Sequence, residues 1–210
     1  MDIKNLRLNY NKSTIDFNNL KDNPFEYFLS WFSDALSINK NEANACVLST
    51  VSNDLPSSRV ILLKSVNENG FTFFTNYLSE KSQDIELNPN VALNFYWAEL
   101  ERQVRILGTA QKISRNDSES YFNLRPRESQ IGAWVSKQSK DIDLQHDFSK
   151  HIDKIKNKFK DTDIKAPLYW GGYLIAPSKF EFWQGRPSRL HDRLIYELED
   201  GDWIKTRLAP

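Results

Sequence analysis

The sequence predicts an α+β domain built on an antiparallel, closed sheet with helices on its flanks. Two patterns carry this. Short runs rich in β-branched and aromatic residues alternate with turn signals, and a few longer segments repeat apolar residues at helical spacing. A third observation is the absence of any repeat, low-complexity tract or linker in 210 residues, which suits one compact unit better than two large domains.

The first 20 residues are polar and lack sustained periodicity, so 1–20 reads as an arm that is mobile unless something holds it, ahead of a single domain over 21–210. The run "NPFEYFLSWFSDALSI" predicts a helix, with Asn23 as cap, Pro24 at the first helical position and Glu26 three residues after the cap. Strands follow at "NACVLSTV", "SSRVILLKSV", "FTFFTN", "VALNFYW" and "RQVRILGTAQKI", divided by "SNDLP" and "NENG". A helix at "SEKSQDIELN" interrupts them. Two more come at "RNDSESYFNL", behind Ser114 with Asp117 three residues on, and at "RESQIGAWVS". "DFSKHIDKIKNKF" is an amphipathic surface helix with Phe148, Ile152, Ile155 and Phe159 inward. The chain returns to strands through "GGYLIA", "KFEFWQG", "RLIYELE" and "DWIKTRL", the last two forming a hairpin around Asp200 and Gly201.

Composition removes several classes of function. Lys plus Arg equals Asp plus Glu at 28 each, so no overall field draws nucleic acid or an anionic membrane, and any basic site must be local. No stretch has the apolar length of a membrane span, and the N-terminus has no apolar leader core. The one cysteine, Cys46, lies in an apolar run, which fits a small core residue in a reducing cytoplasm. The seven glycines form neither dinucleotide nor P-loop signatures, so a bound phosphate must be gripped by side chains. One Cys and three scattered His give no metal-ligand spacing; His146 and His151 read as surface residues.

Three constellations remain. Val60 to Leu63 form an apolar run flanked by Arg59 and Lys64, the pattern of a strand buried on both faces with a cation at each end. Charges that merely solvate the strand ends account for it at least as well as a ligand. Tyr121, Arg125 and Ser129 recur every four residues, and a hydroxyl, a guanidinium and a hydroxyl make a phosphate clamp if the Pro126 break keeps two helices close; surface polarity is the competing explanation. In "FWQGRPSRLHDR", Arg189, His191 and Arg193 stand at period two, so on a strand all three project from one face. Three basic groups on one face repel unless an anion or water intervenes, which favours an anionic ligand over the competing explanation, a plain solvated strand.

The runs "RVILLK", "FFTN", "ERQVRI.G", "YF..RPRESQIGAWVSKQS", "FWQG", "RLHDR" and the terminal "RLAP" resemble the pyridoxamine 5'-phosphate oxidase family over nearly the whole chain, with the similarity thinning before about residue 20. The resemblance implies a split β-barrel homodimer in the cytoplasm with FMN at the subunit interface. The implied activity is oxidation of pyridoxamine or pyridoxine 5'-phosphate to pyridoxal 5'-phosphate, with O2 reduced to H2O2. It further implies FMN contacts at Arg59, Val60, Ile61, Leu62, Leu63, Lys64, Phe74, Thr75, Lys81, Gln103, Gln138, Ser139, Trp183 and Arg193. Substrate would meet Lys64, Tyr121, Arg125, Ser129 and Leu190, with Arg189 and His191 as the catalytic pair over the reacting carbon; Arg7 and Tyr10 would belong to a segment that closes over it. No metal is implied.

The chain departs from the family at Glu80-Lys81, where an Arg-Lys pair is usual. A carboxylate there competes with a phosphate for the same helix N-terminus, so weaker, salt-sensitive FMN binding is expected. Two rival readings stay in view. One is a non-catalytic carrier of FMN or pyridoxal phosphate, disfavoured by retention of both "RPRES" and "RLHDR". The other is a flavin-barrel oxidoreductase that draws electrons from a nicotinamide.

Overall fold

The computed structural model describes residues 1–5 and 8–210; the expectation for Arg7 lies outside them. Helix α1 (Pro24–Ile38) begins as its sequence dictates, with the Asn23 side chain accepting the Phe25 N–H at 2.8 Å. Its apolar stripe buries Phe25, Phe28, Trp31 and Ala35. Phe28 is fully buried and meets Phe71 and Phe95 edge-on at 5.0 and 5.2 Å.

The strands are β1 (Ala45–Ser52), β2 (Leu55–Leu62), β3 (Ser65–Asn67), β4 (Gly70–Asn76), β5 (Asn90–Trp97), β6 (Arg102–Lys112), β7 (Trp170–Gln184), β8 (Asp192–Glu199) and β9 (Asp202–Leu208), all paired antiparallel. Four further helices are α2 (Glu80–Leu87), α3 (Arg115–Leu124), α4 (Arg127–Val135) and α5 (Ser149–Lys158). The strand order is β2-β1-β5-β6-β7-β4-β3. Its two ends are joined through Leu63 and Lys64 alone. The Leu63 N–H donates to Asn44 O at 2.9 Å on the β1 side, and the Lys64 N–H donates to Thr72 O at 2.8 Å on the β4 side. The path therefore begins and ends on two halves of one bent strand, which closes the ring. The hairpin β8–β9 leaves it along the second half of β7, so the barrel is split.

Two expectations change here. "SSRVILLKSV" is two strands with a bend between them, and it is not buried on both faces: Val60 is 67% and Leu62 46% exposed. β2 pairs only with β1 and no layer of its own chain covers its outer face, so only Ser57, Arg59 and Ile61 turn inward. "GGYLIA" and "KFEFWQG" are one strand, β7, of 15 residues. It survives Pro177 through a bulge: Leu107 faces Lys179 while Gly108 faces Pro177, leaving Ser178 without a partner. A Cβ on Gly108 would fall 2.2 Å from Ala176 O, so only glycine admits this approach. The extra residue inverts the strand's parity. Tyr173 and Ile175 enter the core before it, Phe180 and Phe182 after it.

A second apolar cluster, Phe122, Ile131, Phe159, Ile164, Ala166 and Trp170, fastens α3, α4 and α5 to the start of β7. Ile152, Ile155 and Phe159 pack inward as expected, whereas Phe148 precedes the first turn of α5 and is 38% exposed. His151 is exposed, and His146 lies against it before the helix begins. The arm is held from Tyr10 onward: Ile15 is buried, and Tyr196 donates its hydroxyl to Lys21 O at 2.7 Å. No helix among the described residues is long and apolar enough to cross a membrane.

Candidate active site

Lys81 is the point from which the site grows. It sits in the first turn of α2, 7% exposed, with its ammonium donating to Thr75 Oγ1 at 3.3 Å and Ser79 Oγ at 3.2 Å. Among the described residues no carboxylate forms an ion pair with it. Arg59, on the inward face of β2, donates to Thr50 Oγ1 and Ser57 Oγ, both at 2.7 Å, and lies 3.5 Å from Asp84 Oδ2. Burial and then the nearby Arg59 guanidinium push the Lys81 pKa down. A buried ammonium without a counter-ion beside an arginine fits an anionic group such as a phosphate. Glu80 is exposed at the same helix end.

Thr75 leads from this nook to a cavity. Its hydroxyl is 3.5 Å from Gln138 Oε1, and both residues line a space of about 380 Å³ with Phe74, Asn76, Arg125, Ser129, Gly132, Ala133, Ser136 and Trp170. β4 supplies one wall; α4 and the turn after α3 supply the other. Tyr121 stacks on Phe74 at 4.0 Å between ring centroids, and Phe74 on Trp170 at 5.4 Å. The Arg125 guanidinium lies 4.8 Å over the Trp170 ring, with Nη1 buried and without a hydrogen-bond partner. Burial lowers the Arg125 pKa and raises that of Tyr121, which keeps the phenol a donor. Of the Tyr121, Arg125, Ser129 set, Arg125 and Ser129 line the cavity, while Tyr121 reaches it through its stack on Phe74. Lys64 does not line this cavity; it is exposed and lines a groove with Leu29, Phe32 and Leu63. Ser139 is exposed in a left-handed turn at φ 64°.

The remaining expected residues gather elsewhere. Gln103, Trp183 and Arg193 stand in one cross-strand row over β6, β7 and β8, continued on β5 by Tyr96, which was not among the expected residues. His191 packs against Trp183 at 4.6 Å, and Tyr10 touches both rings edge-on at 5.7 and 5.8 Å. Arg193 is gripped by Glu181 Oε1 through Nε at 2.8 Å and Nη2 at 2.7 Å, while Arg105 holds the other carboxylate oxygen at 3.0 Å. One expectation fails here. Arg189 is not on a strand with His191 and Arg193 but in the turn Pro187–Arg189, where Ser188 and Arg189 have φ of 55° and 63°. β8 starts only at Asp192, so the period-two face does not form. His191 is fixed in another way: its Nδ1 accepts the Arg186 N–H at 3.1 Å, which leaves any proton on Nε2. Burial, then Arg189, lowers its pKa.

The two groups lie at opposite ends of β7. Phe74 faces Gly172, and Trp183 stands 11 residues further on, about 36 Å along an extended strand.

Residues 32–159 match the family described as pyridoxamine 5'-phosphate oxidase. The chain belongs to this oxidase family. Residues 170–210 match the pyridoxine 5'-phosphate oxidase C-terminal dimerisation region, which supports a homodimer. The oxidase is 50% identical to pyridoxine/pyridoxamine 5'-phosphate oxidase 2 of Hydrogenovibrio crunogenus, covering 100% of this chain and 99% of that one. It is equally 50% identical to the pyridoxine/pyridoxamine 5'-phosphate oxidase of Aliarcobacter butzleri, over the full length of both. In fold it resembles PhzG from Burkholderia lata, solved with tetrahydrophenazine-1-carboxylic acid, with a TM-score of 0.88 at 25% identity over 95% of this chain and 100% of that one. Trp170, Asn76, Glu181, Arg186 and Asp192 escaped the sequence reading. Asn76, Glu181, Arg186 and Asp192 stood inside quoted runs without being singled out, and only Trp170 lay outside them.

Proposed function

We propose that the chain binds FMN and oxidises pyridoxamine and pyridoxine 5'-phosphates to pyridoxal 5'-phosphate in the cytoplasm. The observation that carries this is the pairing of two cationic grips on one cavity: Arg59 with Lys81 behind Thr75, and Arg125 with Ser129 opposite. A flavin-only carrier has no use for the second. Bound FMN supplies the two-electron acceptor for hydride from C4', and O2 takes the electrons on to H2O2.

The protein's part is positioning and electrostatics. Lys81, Arg59 and the hydroxyl of Thr75 hold the cofactor phosphate, and Gln138 with the Val60–Leu63 backbone edge borders its ring. Tyr121, Arg125 and Ser129 clamp the substrate phosphate, Arg125 donating through the Nη1 that has no partner. Within one chain the cavity lies at the Phe74 end of β7 and Trp183 at the other, about 36 Å of strand length further on, with Arg189 and His191 beside it; a second copy bringing these to the cavity would place the site at the subunit interface. There Arg189 and His191 orient the amine or alcohol, and the low pKa of His191 keeps it neutral and able to accept a proton. The amine route ends with ammonia after hydrolysis of the imine.

Purified protein supplemented with FMN and given pyridoxamine 5'-phosphate in air is expected to form aldehyde and H2O2 in equal amounts. A yellow, folded protein that formed neither would leave the carrier reading. Flavin bleaching by NADPH without the substrate would favour the nicotinamide-driven oxidoreductase.

A further inference from the structure

We propose that Asp192 is a positioning residue that latches the N-terminal segment over the Trp183–His191 face, an inference that rests on the reading above that this face meets substrate. Between Tyr10 and Ile15 only Ile15 is buried, so the segment is held mainly by polar bonds. Asp192 supplies two of them. Its Oδ2 accepts from Thr14 Oγ1 at 3.1 Å and from the Ile15 N–H at 3.2 Å, in a carboxylate that is itself only 6% exposed.

Two arginines complete the arrangement. Arg186 Nη1 lies 3.6 Å from Asp192 Oδ2 and 3.4 Å from Ser13 O, while its backbone N–H is the donor that fixes His191. Arg207 Nη2 lies 3.4 Å from Oδ1. A second anchor stands upstream, where the Lys12 N–H donates to Glu101 Oε2 at 2.9 Å. Tyr10 follows directly and covers Trp183 and His191. The carboxylate's charge draws Arg186 and Arg207 to its two oxygens; a neutral amide of the same shape loses that pull and must turn its NH2 either toward Arg207 or toward the Thr14–Ile15 pair. One carboxylate thus ties the covering segment, the Arg186 turn and the imidazole into a single unit.

The test uses the FMN-loaded dimer. Trypsin cleavage after Lys12, followed by mass spectrometry, reads opening of the segment without reference to turnover. Asp192→Asn is expected to speed this cleavage about tenfold and to raise KM for pyridoxamine 5'-phosphate by a comparable factor, with kcat little changed. Thr14→Val, which alters the segment alone, is expected to act in the same direction by about threefold. In a variant lacking residues 1–13 the Asp192→Asn change should no longer affect KM. An unchanged cleavage rate in folded Asp192→Asn overturns the latch, as does a KM effect that persists in the truncated variant. If Asp192→Asn does not fold, a wild-type cleavage rate in Thr14→Val overturns it. Should the wild-type protein fail to oxidise the substrate, the functional reading falls, while the cleavage rates still decide the latch.

Discussion

Among individual side chains, Lys81, which is buried, and Arg125, with its Nη1 buried, are cations that the proposed function assigns to bound phosphates. Lys81 is buried with no ion pair among the described residues, and its lowered pKa marks a state that folding does not favour. Lys81→Met is therefore expected to leave the thermal stability of the FMN-free protein unchanged or raised while weakening FMN binding at least tenfold, measured by flavin fluorescence quenching. Glu80 stands exposed at the same helix end, and Glu80→Arg is expected to tighten FMN about three- to tenfold and steepen its salt dependence. An unchanged dissociation constant would show that Glu80 plays no part. His191 gives a pH dependence whose sign follows from its lowered folded-state value. Below the ordinary imidazole value of 6.5 the unfolded chain takes up the proton more readily, so stability falls as pH falls through that value. Urea midpoints at pH 7.5 and 5.5 should drop further for the wild type than for His191→Asn, whose side chain does not titrate. The sequence made Arg125 and His191 legible as residues but not Asp192 or Glu181, because the partners that give these acids their roles, Thr14 and Ile15 for one and Arg105 and Arg193 for the other, come together only in the fold.

Among the elements, the helices were the most legible, since caps and apolar spacing are local. Asn23, Pro24 and the Phe25, Phe28, Trp31 stripe state α1 without help from the rest of the chain. Phe28 is fully enclosed by aromatic rings, so Phe28→Ala is expected to cost about 3–5 kcal/mol in urea unfolding. A loss below 1 kcal/mol would mean that the surrounding rings collapse into the space. Strand limits were less legible for definite reasons. Pro177 and Ser178 look like a break, yet Gly108 opposite gives the room that lets β7 pass through them. Whether Val60 and Leu62 are covered depends on a neighbour that local pattern does not encode. The period-two spacing at Arg189 presupposes a strand, and left-handed Ser188 and Arg189 form a turn instead.

For the whole molecule, the proposed function, with the two residue groups at opposite ends of β7, makes assembly part of the chemistry. Arg125→Ala and Arg189→Ala homodimers should each be nearly inactive. Dissociated and reassembled together, they should recover about a quarter of wild-type activity, because half the dimers are mixed and each mixed dimer has one unaltered site. No recovery, with mixed dimers shown to form, would place both groups in one chain's site. Ser178 adds a constraint of another kind. Along β7 a single surplus residue sets the phase between the end that faces Phe74 and the end that carries Trp183. Removing it would send Phe180 and Phe182 outward and reverse Trp183 as well, whereas removing two residues would restore the phase and only shorten the span. Length changes in this strand can thus be accommodated in steps of two and not of one, so the geometry that links the two active sites is quantised by the pleat itself.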